Sequence, residues 1–134
     1  MSHQTEAAAR RPTIGQQAED QALAYLEHQG LQLVQRHYQV ARGPSRAAGE
    51  IDLIMLDRDG TLVFVEVRAR THAGYGGAAA SVNRAKRRKL IWTARHYLQQ
   101  VTPWPPCRFD VIAITAHELE WLPAAFEEDG FGRL

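Results

Sequence analysis

The chain has 134 residues, 45% of them hydrophobic and 23% charged, which suits one folded domain that buries roughly two-thirds of its unfolded surface and excludes a disordered or fibrous protein. No apolar run reaches the roughly 18 residues needed to cross a bilayer, the start Met1 to Arg11 has no signal-like apolar stretch, and the single Cys107 rules out an internal disulfide or a thiolate zinc site. The net charge of +1 hides a segregation: thirteen Arg or Lys against five acids between Arg36 and Arg108, and three Arg against ten acids elsewhere, which points to a basic face offered to a polyanion.

Residues 1–12 are polar and Ala-rich and are expected to form a flexible arm, followed by a single domain over 13–134. Thr13 is placed to cap a helix over 14–29 whose apolar stripe is Ile14, Ala18, Ala22, Tyr25 and Leu26, with Gly30 as its stop. Leu31 to Val40 has strand content, and Ala41 to Gly49, with Gly43, Pro44 and Ser45, is expected to be a loop. Gly49 to Leu56 and Thr61 to Arg70 are two strand-like runs flanking Asp57-Arg58-Asp59-Gly60, the pattern of a β-hairpin. Residues 70 to 80 carry Gly74, Gly76 and Gly77 and are expected to be a mobile loop. Ser81 then caps a helix to about Gln100 with the stripe Val82, Ala85, Leu90, Ile91, Ala94 and Leu98. After Pro103, Pro105 and Pro106 come a strand at Arg108 to Ile114, a short strand near Leu119 to Leu122, and a turn or helix at Ala124 to Glu128.

Turn length decides whether the acids of the hairpin meet, because a one-residue slip moves a side chain to the other face. A two-residue loop at Asp59-Gly60 sets Asp52 against Val67. A three-residue loop with Gly60 in the left-handed position sets Asp57 against Thr61, Asp52 against Glu66, and Glu50 against Arg68. Facing carboxylates only about 5 Å apart repel, and the arrangement suits a hard divalent cation, Mg²⁺ or Mn²⁺, that takes one or two carboxylates and leaves its other positions to water and phosphate. An ordinary ladder of solvent-facing charges is the plainer alternative. The apolar neighbours Ile51, Leu53 to Leu56, Leu62 to Val65 and Val67 weigh against it, since acids in a sheet covered on both faces need partners or a task.

Asp52 followed on the next strand by Glu66-Val67-Arg68 resembles the PD-(D/E)XK nuclease superfamily, which includes restriction enzymes and Holliday-junction resolvases. Gly49-Glu-Ile-Asp-Leu-Ile, Phe64-Val-Glu-Val-Arg-Ala-Arg, the helix start Gly15 to Glu19, Lys86 and Arg108-Phe-Asp-Val together resemble the YraN-like family of uncharacterised bacterial proteins. The resemblance implies an α/β, restriction-endonuclease-like fold with a mixed central sheet flanked by helices. It also implies Asp52, Glu66, the Val67 carbonyl and Glu19 as metal ligands, and Asp52, Glu66, Arg68 and Glu19 as the catalytic set. Arg68 stands where the superfamily usually has lysine, and a guanidinium cannot act as a base. Glu50 has no assigned role, and Asp110 is expected to form a structural salt bridge with Arg108.

Arg84, Lys86, Arg87, Arg88 and Lys89 crowd five cations into six positions; with Arg70 they are the expected nucleic-acid contacts. The six histidines show no metal-binding spacing and Gly74 to Gly77 lacks a phosphate-loop ending; Trp92, Trp104 and Trp121 are of a type that can stack bases, with packing in the core or at its rim as the first expectation. The expected function is a cytoplasmic, metal-dependent nuclease acting on nucleic acid, DNA foremost, with branched or damaged DNA as one candidate substrate, RNA and the other DNA shapes left open, and a homodimer as one arrangement for cutting two strands. The alternatives are a binding module of the same fold without turnover, and a protein-interaction domain that uses the acidic ends.

Overall fold

A computed structural model describes residues 13–41, 47–70, 82–116 and 118–126. The expected arm at 1–12, the loop residues 71–80, Ser81 and residues 127–134 lie outside the described residues. The elements in chain order are α1 (Ile14–His28), β1 (Gln32–Ala41), β2 (Ala47–Leu56), β3 (Leu62–Ala69), α2 (Arg84–Leu98), β4 (Cys107–Ile114) and β5 (Leu119–Phe126). The five strands form one sheet in sequence order, with β3 and β4 parallel and the other pairs antiparallel. This is the mixed α/β architecture expected from the sequence, consistent with a restriction-endonuclease-like fold.

Helix α1 begins where Thr13 and Gln16 close a reciprocal capping box: the Gln16 amide donates to Thr13 Oγ1 at 3.1 Å and the Thr13 amide donates to Gln16 Oε1 at 2.8 Å. Its buried face is Ala18, Glu19, Ala22 and Leu26. Ile14, expected on the apolar stripe, is 76% exposed. Helix α2 starts at Arg84 rather than Ser81, capped by Asn83, whose side chain accepts from the Lys86 amide at 2.8 Å. Ala85 is exposed, and Val82 is buried ahead of the helix rather than within it.

Of the stretch read as a loop from Ala41 to Gly49, Ala41 belongs to β1 and Ala47 to Gly49 belong to β2, while residues 42–46, with Gly43, Pro44 and Ser45, lie outside the described residues. The turn or helix expected from Ala124 is the continuation of β5. Pro123 is tolerated there because β5 is an edge strand, and Asp110 Oδ1 accepts the Ala124 amide at 2.9 Å, which holds Ala124 at a φ of 50°.

Two cores sandwich the sheet. On one face Leu90, Ala94 and Leu98 of α2 pack on Tyr38, Val40, Ile51, Ile54, Phe64 and Phe109; on the other Ala18, Ala22 and Leu26 of α1 pack on Leu53, Met55, Val63, Val65 and Ile112. A regular strand keeps residues i and i+2 on one face; β1 departs from that rule at a bulge between Leu33 and Gln35, and β1 and β2 break it together at one further place. Arg36 reaches Glu19 on α1 while Tyr38 lies in the α2 core; beside them Leu53 lies in the α1 core and Ile51 in the α2 core. Pairing continues through the step, with Arg36 against Leu53 and Tyr38 against Ile51. Between them His37 has a φ of 53°, a left-handed conformation that turns the strand over by one position. Asp52 sits at the same step in β2.

Candidate active site

The hairpin adopts the three-residue turn. Asp57 N donates to Thr61 O at 2.9 Å, Gly60 has a φ of 88°, and the ladder runs Leu56 with Leu62, Met55 with Val63, Ile54 with Phe64 and Leu53 with Val65. Backbone pairing stops there. One step further, where Asp52 meets Glu66, the Asp52 carboxylate takes over and accepts the Val67 amide at 2.8 Å. The Asp52 carboxyl is pushed up to about 7, first by burial and next by the charge of Glu66, with Glu19 and Glu50 adding and the Val67 amide opposing. The strands therefore bring several carboxylates within electrostatic reach of Asp52.

Glu66 is buried, with 5% of its surface exposed, and two cations share its Oε2: Arg68 Nη1 at 3.4 Å and Lys86 Nζ at 3.5 Å. The sequence offers Lys86 as part of the family resemblance and as a phosphate contact; the fold makes it a partner of the buried acid. Its placement rests on Gly49. A Cβ there would collide with Thr93 Oγ1, so the glycine lets β2 and α2 approach closely enough for Lys86 and Lys89 to overhang the hairpin. Gly49, Glu50, Lys86, Lys89 and Leu90 line an open cleft of about 180 Å³.

Glu19 is 6% exposed, and its Oε1 accepts from Arg36 at 2.9 Å and lies 2.7 Å from His37 Nε2. His37 Nδ1 is 3.4 Å from Glu50 Oε2, and Gln39 Nε2 donates to the same oxygen at 3.4 Å. Glu50 thus turns toward β1 and not toward Arg68, as uniform alternation had implied. His37 is the residue that sequence reasoning missed. Its partners arrive through strand pairing and helix packing, so no spacing among histidines announces them.

The other candidates separate. Arg84, Arg88 and Lys89 are exposed on α2. Arg87 instead turns inward, donating to the Val82 carbonyl at 2.9 Å and lying over the Phe126 ring at 5.3 Å. Arg70 lies apart from the carboxylates, in a groove with Ile14, Gln17 and Ile114 beside α1. Asp110 is fully buried and accepts from Arg108 Nε at 3.0 Å, Trp121 Nε1 at 3.0 Å and Ala124 N, as the structural reading expected. Cys107 is half-buried and its thiol is pushed up to about 11 by burial.

A family model described as "Uncharacterised protein family UPF0102" matches residues 18–114. The chain belongs to this family. The UPF0102 protein of Methylibium petroleiphilum is 54% identical over 114 residues, covering 85% of this chain and 93% of the relative. UPF0102 proteins of Paracidovorax citrulli and Cupriavidus taiwanensis are 53% and 52% identical, covering 90% and 91% of this chain and 89% and 88% of the relatives. The span of the UPF0102 match takes in α1 from Ala18 onward, the whole hairpin, the basic helix and β4. It therefore includes Glu19, Asp52, Glu66 and Lys86. Among the described residues no helix is long and apolar enough to cross a membrane.

Proposed function

We propose that this UPF0102 chain is a metal-dependent nuclease that hydrolyses phosphodiester bonds in nucleic acid, DNA foremost. The observation that carries the reading is the Asp52 and Glu66 pair at the point where β2 leaves β3, under the overhanging Lys86 and Lys89. Among the described residues no group of three His, Cys, Asp or Glu side chains forms a ready metal cage. The donor set fits the other mode, in which Mg²⁺ takes one or two carboxylates and completes its shell with water and substrate phosphate. Asp52 and Glu66 are the residues to hold it, with the Val67 carbonyl and Glu19 as further oxygens. Burial first and the charge of Glu66 second raise the Asp52 carboxyl to about 7, and a bound divalent cation would favour its ionised form. When bound, such a cation supplies Lewis-acid activation of the phosphodiester.

The chain's own residues do the rest. The Val67 amide fixes the Asp52 carboxylate by its Oδ2, and Arg68 and Lys86 hold Glu66 by its Oε2. In this reading both cations take non-bridging phosphate oxygens as substrate enters, supported by Lys89, which adds a further positive charge along the cleft. Arg68 in the lysine position favours a second reading, a nucleic-acid-binding module without turnover.

The test is cleavage of labelled single-stranded, duplex, forked and four-way-junction DNAs in Mg²⁺ or Mn²⁺, with Glu66→Gln protein alongside. Cutting by the wild type alone is the expected result. Binding without cutting by either protein selects the second reading, and absence of both removes the nucleic-acid assignment.

A further inference from the structure

Of the three tryptophans, two are committed inside the fold. Trp104 Nε1 donates to the Leu98 carbonyl at 2.9 Å, and Trp121 Nε1 donates to Asp110 Oδ2 at 3.0 Å while its ring meets Tyr25 edge-on at 5.9 Å. Trp92 is different. It lies on the outer face of α2 with 43% of its surface exposed. Arg88 and His96 flank it at four residues before and after, and Lys89 at three before, so all share its face. Ala85, also exposed, adds no bulk at the start of that face.

The indole is steadied rather than loose. The His96 ring lies 5.9 Å from it at a 39° tilt, and His96 Nδ1 is held 2.8 Å from the hydroxyl of the buried Tyr38. Six residues separate Trp92 from Lys86, roughly 9 Å along the helix axis, and Lys89 between them lines the cleft beside Glu50. The positive edge thus runs unbroken from the carboxylate pair to an open aromatic surface.

We propose that the outer face of α2 is a track for a nucleic-acid strand with unpaired bases, its phosphates on Arg88 and Lys89, which lead on to Lys86 at the carboxylates, and one base stacked on Trp92. This rests on the nucleic-acid reading above and names its substrate class. Charge selects a polyanion over an apolar or basic protein partner. The indole then selects among polyanions. Inside a duplex the base faces are covered by their neighbours, so an indole on a convex helix surface gains nothing there, whereas a single-stranded segment offers a π-face at every nucleotide. The remote strand emerging from a fork or a junction has the same chemistry.

The experiment is fluorescence-anisotropy binding of labelled oligothymidylate, oligouridylate and a blunt mixed-sequence DNA duplex of equal length. Wild-type, Trp92→Ala and Trp92→Phe proteins are compared at one salt concentration, in chelator to prevent cleavage. Trp92→Ala is expected to weaken binding to the single strands roughly 5- to 150-fold, the range of one lost base stack. Duplex affinity stays unchanged, and Trp92→Phe stays within a few-fold of wild type. Quenching of tryptophan emission by oligothymidylate, lost in Trp92→Phe, is the second readout. The ratio of the thymidylate to uridylate affinities separates DNA from RNA.

The stacking proposal is overturned if Trp92→Ala leaves single-strand binding intact or weakens duplex binding equally. In those cases the nucleic-acid reading survives. Should the wild type bind none of the probes, both fall, and an acidic protein partner becomes the occupant of the basic face.

Discussion

The Asp52 carboxylate accepts the Val67 amide at 2.8 Å, completing with a side chain the ladder that the β2 backbone abandons at Leu53. That bond holds Asp52 beside Glu66 against their mutual repulsion. The consequence is measurable as pH-dependent stability. Asp52 titrates near 7 in the folded protein and near 4 in an unfolded chain. Between those values the folded state keeps a proton that the unfolded state releases, so stability falls as pH rises through this window and levels off above it.

Asp52→Asn removes the buried charge while its amide oxygen still accepts from Val67. The variant is therefore expected to match the wild type near pH 4 and to exceed it near pH 8. The gain is about 1 to 3 kcal/mol, allowing for solvent screening of a half-buried group. Thermal melts at the two pH values check this. Added Mg²⁺ at pH 8 is expected to raise the wild-type Tm and to leave Asp52→Asn unmoved. A variant less stable than wild type at both pH values overturns the assignment.

Lys86 and Arg88 belong to one basic run yet occupy different places, one on Glu66 and the other on the outer face of the helix. On the proposed nucleic-acid reading each substitution to Gln removes one phosphate contact, so each should flatten the logarithmic salt dependence of DNA binding by about 0.9. Their effects on chemistry should part. At saturating DNA, Lys86→Gln is expected to slow single-turnover cleavage by about 100-fold or more, the scale of one lost donor at a reacting centre. Arg88→Gln leaves that rate unchanged. Equal rate losses in both would mean that the run acts only as a charged surface.

Much of this arrangement was legible in the sequence, for identifiable reasons. The choice between a two- and a three-residue loop at Asp57 to Gly60 was enough to set Asp52 against Glu66, because register propagates from the turn. The apolar runs on both hairpin strands announced a sheet covered on both faces. What stayed hidden was local departure from period two. Histidine has no strong preference for the left-handed region, so nothing in Gln35-Arg36-His37-Tyr38 signals that β1 turns over there, and with it went the Glu19, His37 and Glu50 contacts. The cap was misplaced because Ser81 and Asn83 are both good caps, and only packing of Val82 into the core selects the second.

The glycine in Gly49-Glu-Ile-Asp was read only as part of a motif, and its physical role is steric. Ala at this position meets Oγ1 of the fully buried Thr93, which itself donates to the Lys89 carbonyl at 2.7 Å. Gly49→Ala is expected to destabilise the protein by about 1 to 3 kcal/mol, the usual cost of overpacking. Thr93→Ala should cost less alone, since it loses one hydrogen bond whose acceptor already serves the helix. Removing the hydroxyl clears the space that the new methyl needs, so the double variant should be more stable than the sum of the two losses predicts, by about 0.5 kcal/mol or more in a double-mutant cycle from chemical denaturation. Activity should follow the same pattern. The single Gly49→Ala change pushes α2 outward and takes Lys86 from Glu66, and the second substitution lets the helix settle back. Strict additivity would show that the close approach of β2 and α2 at Gly49 does not set the position of Lys86.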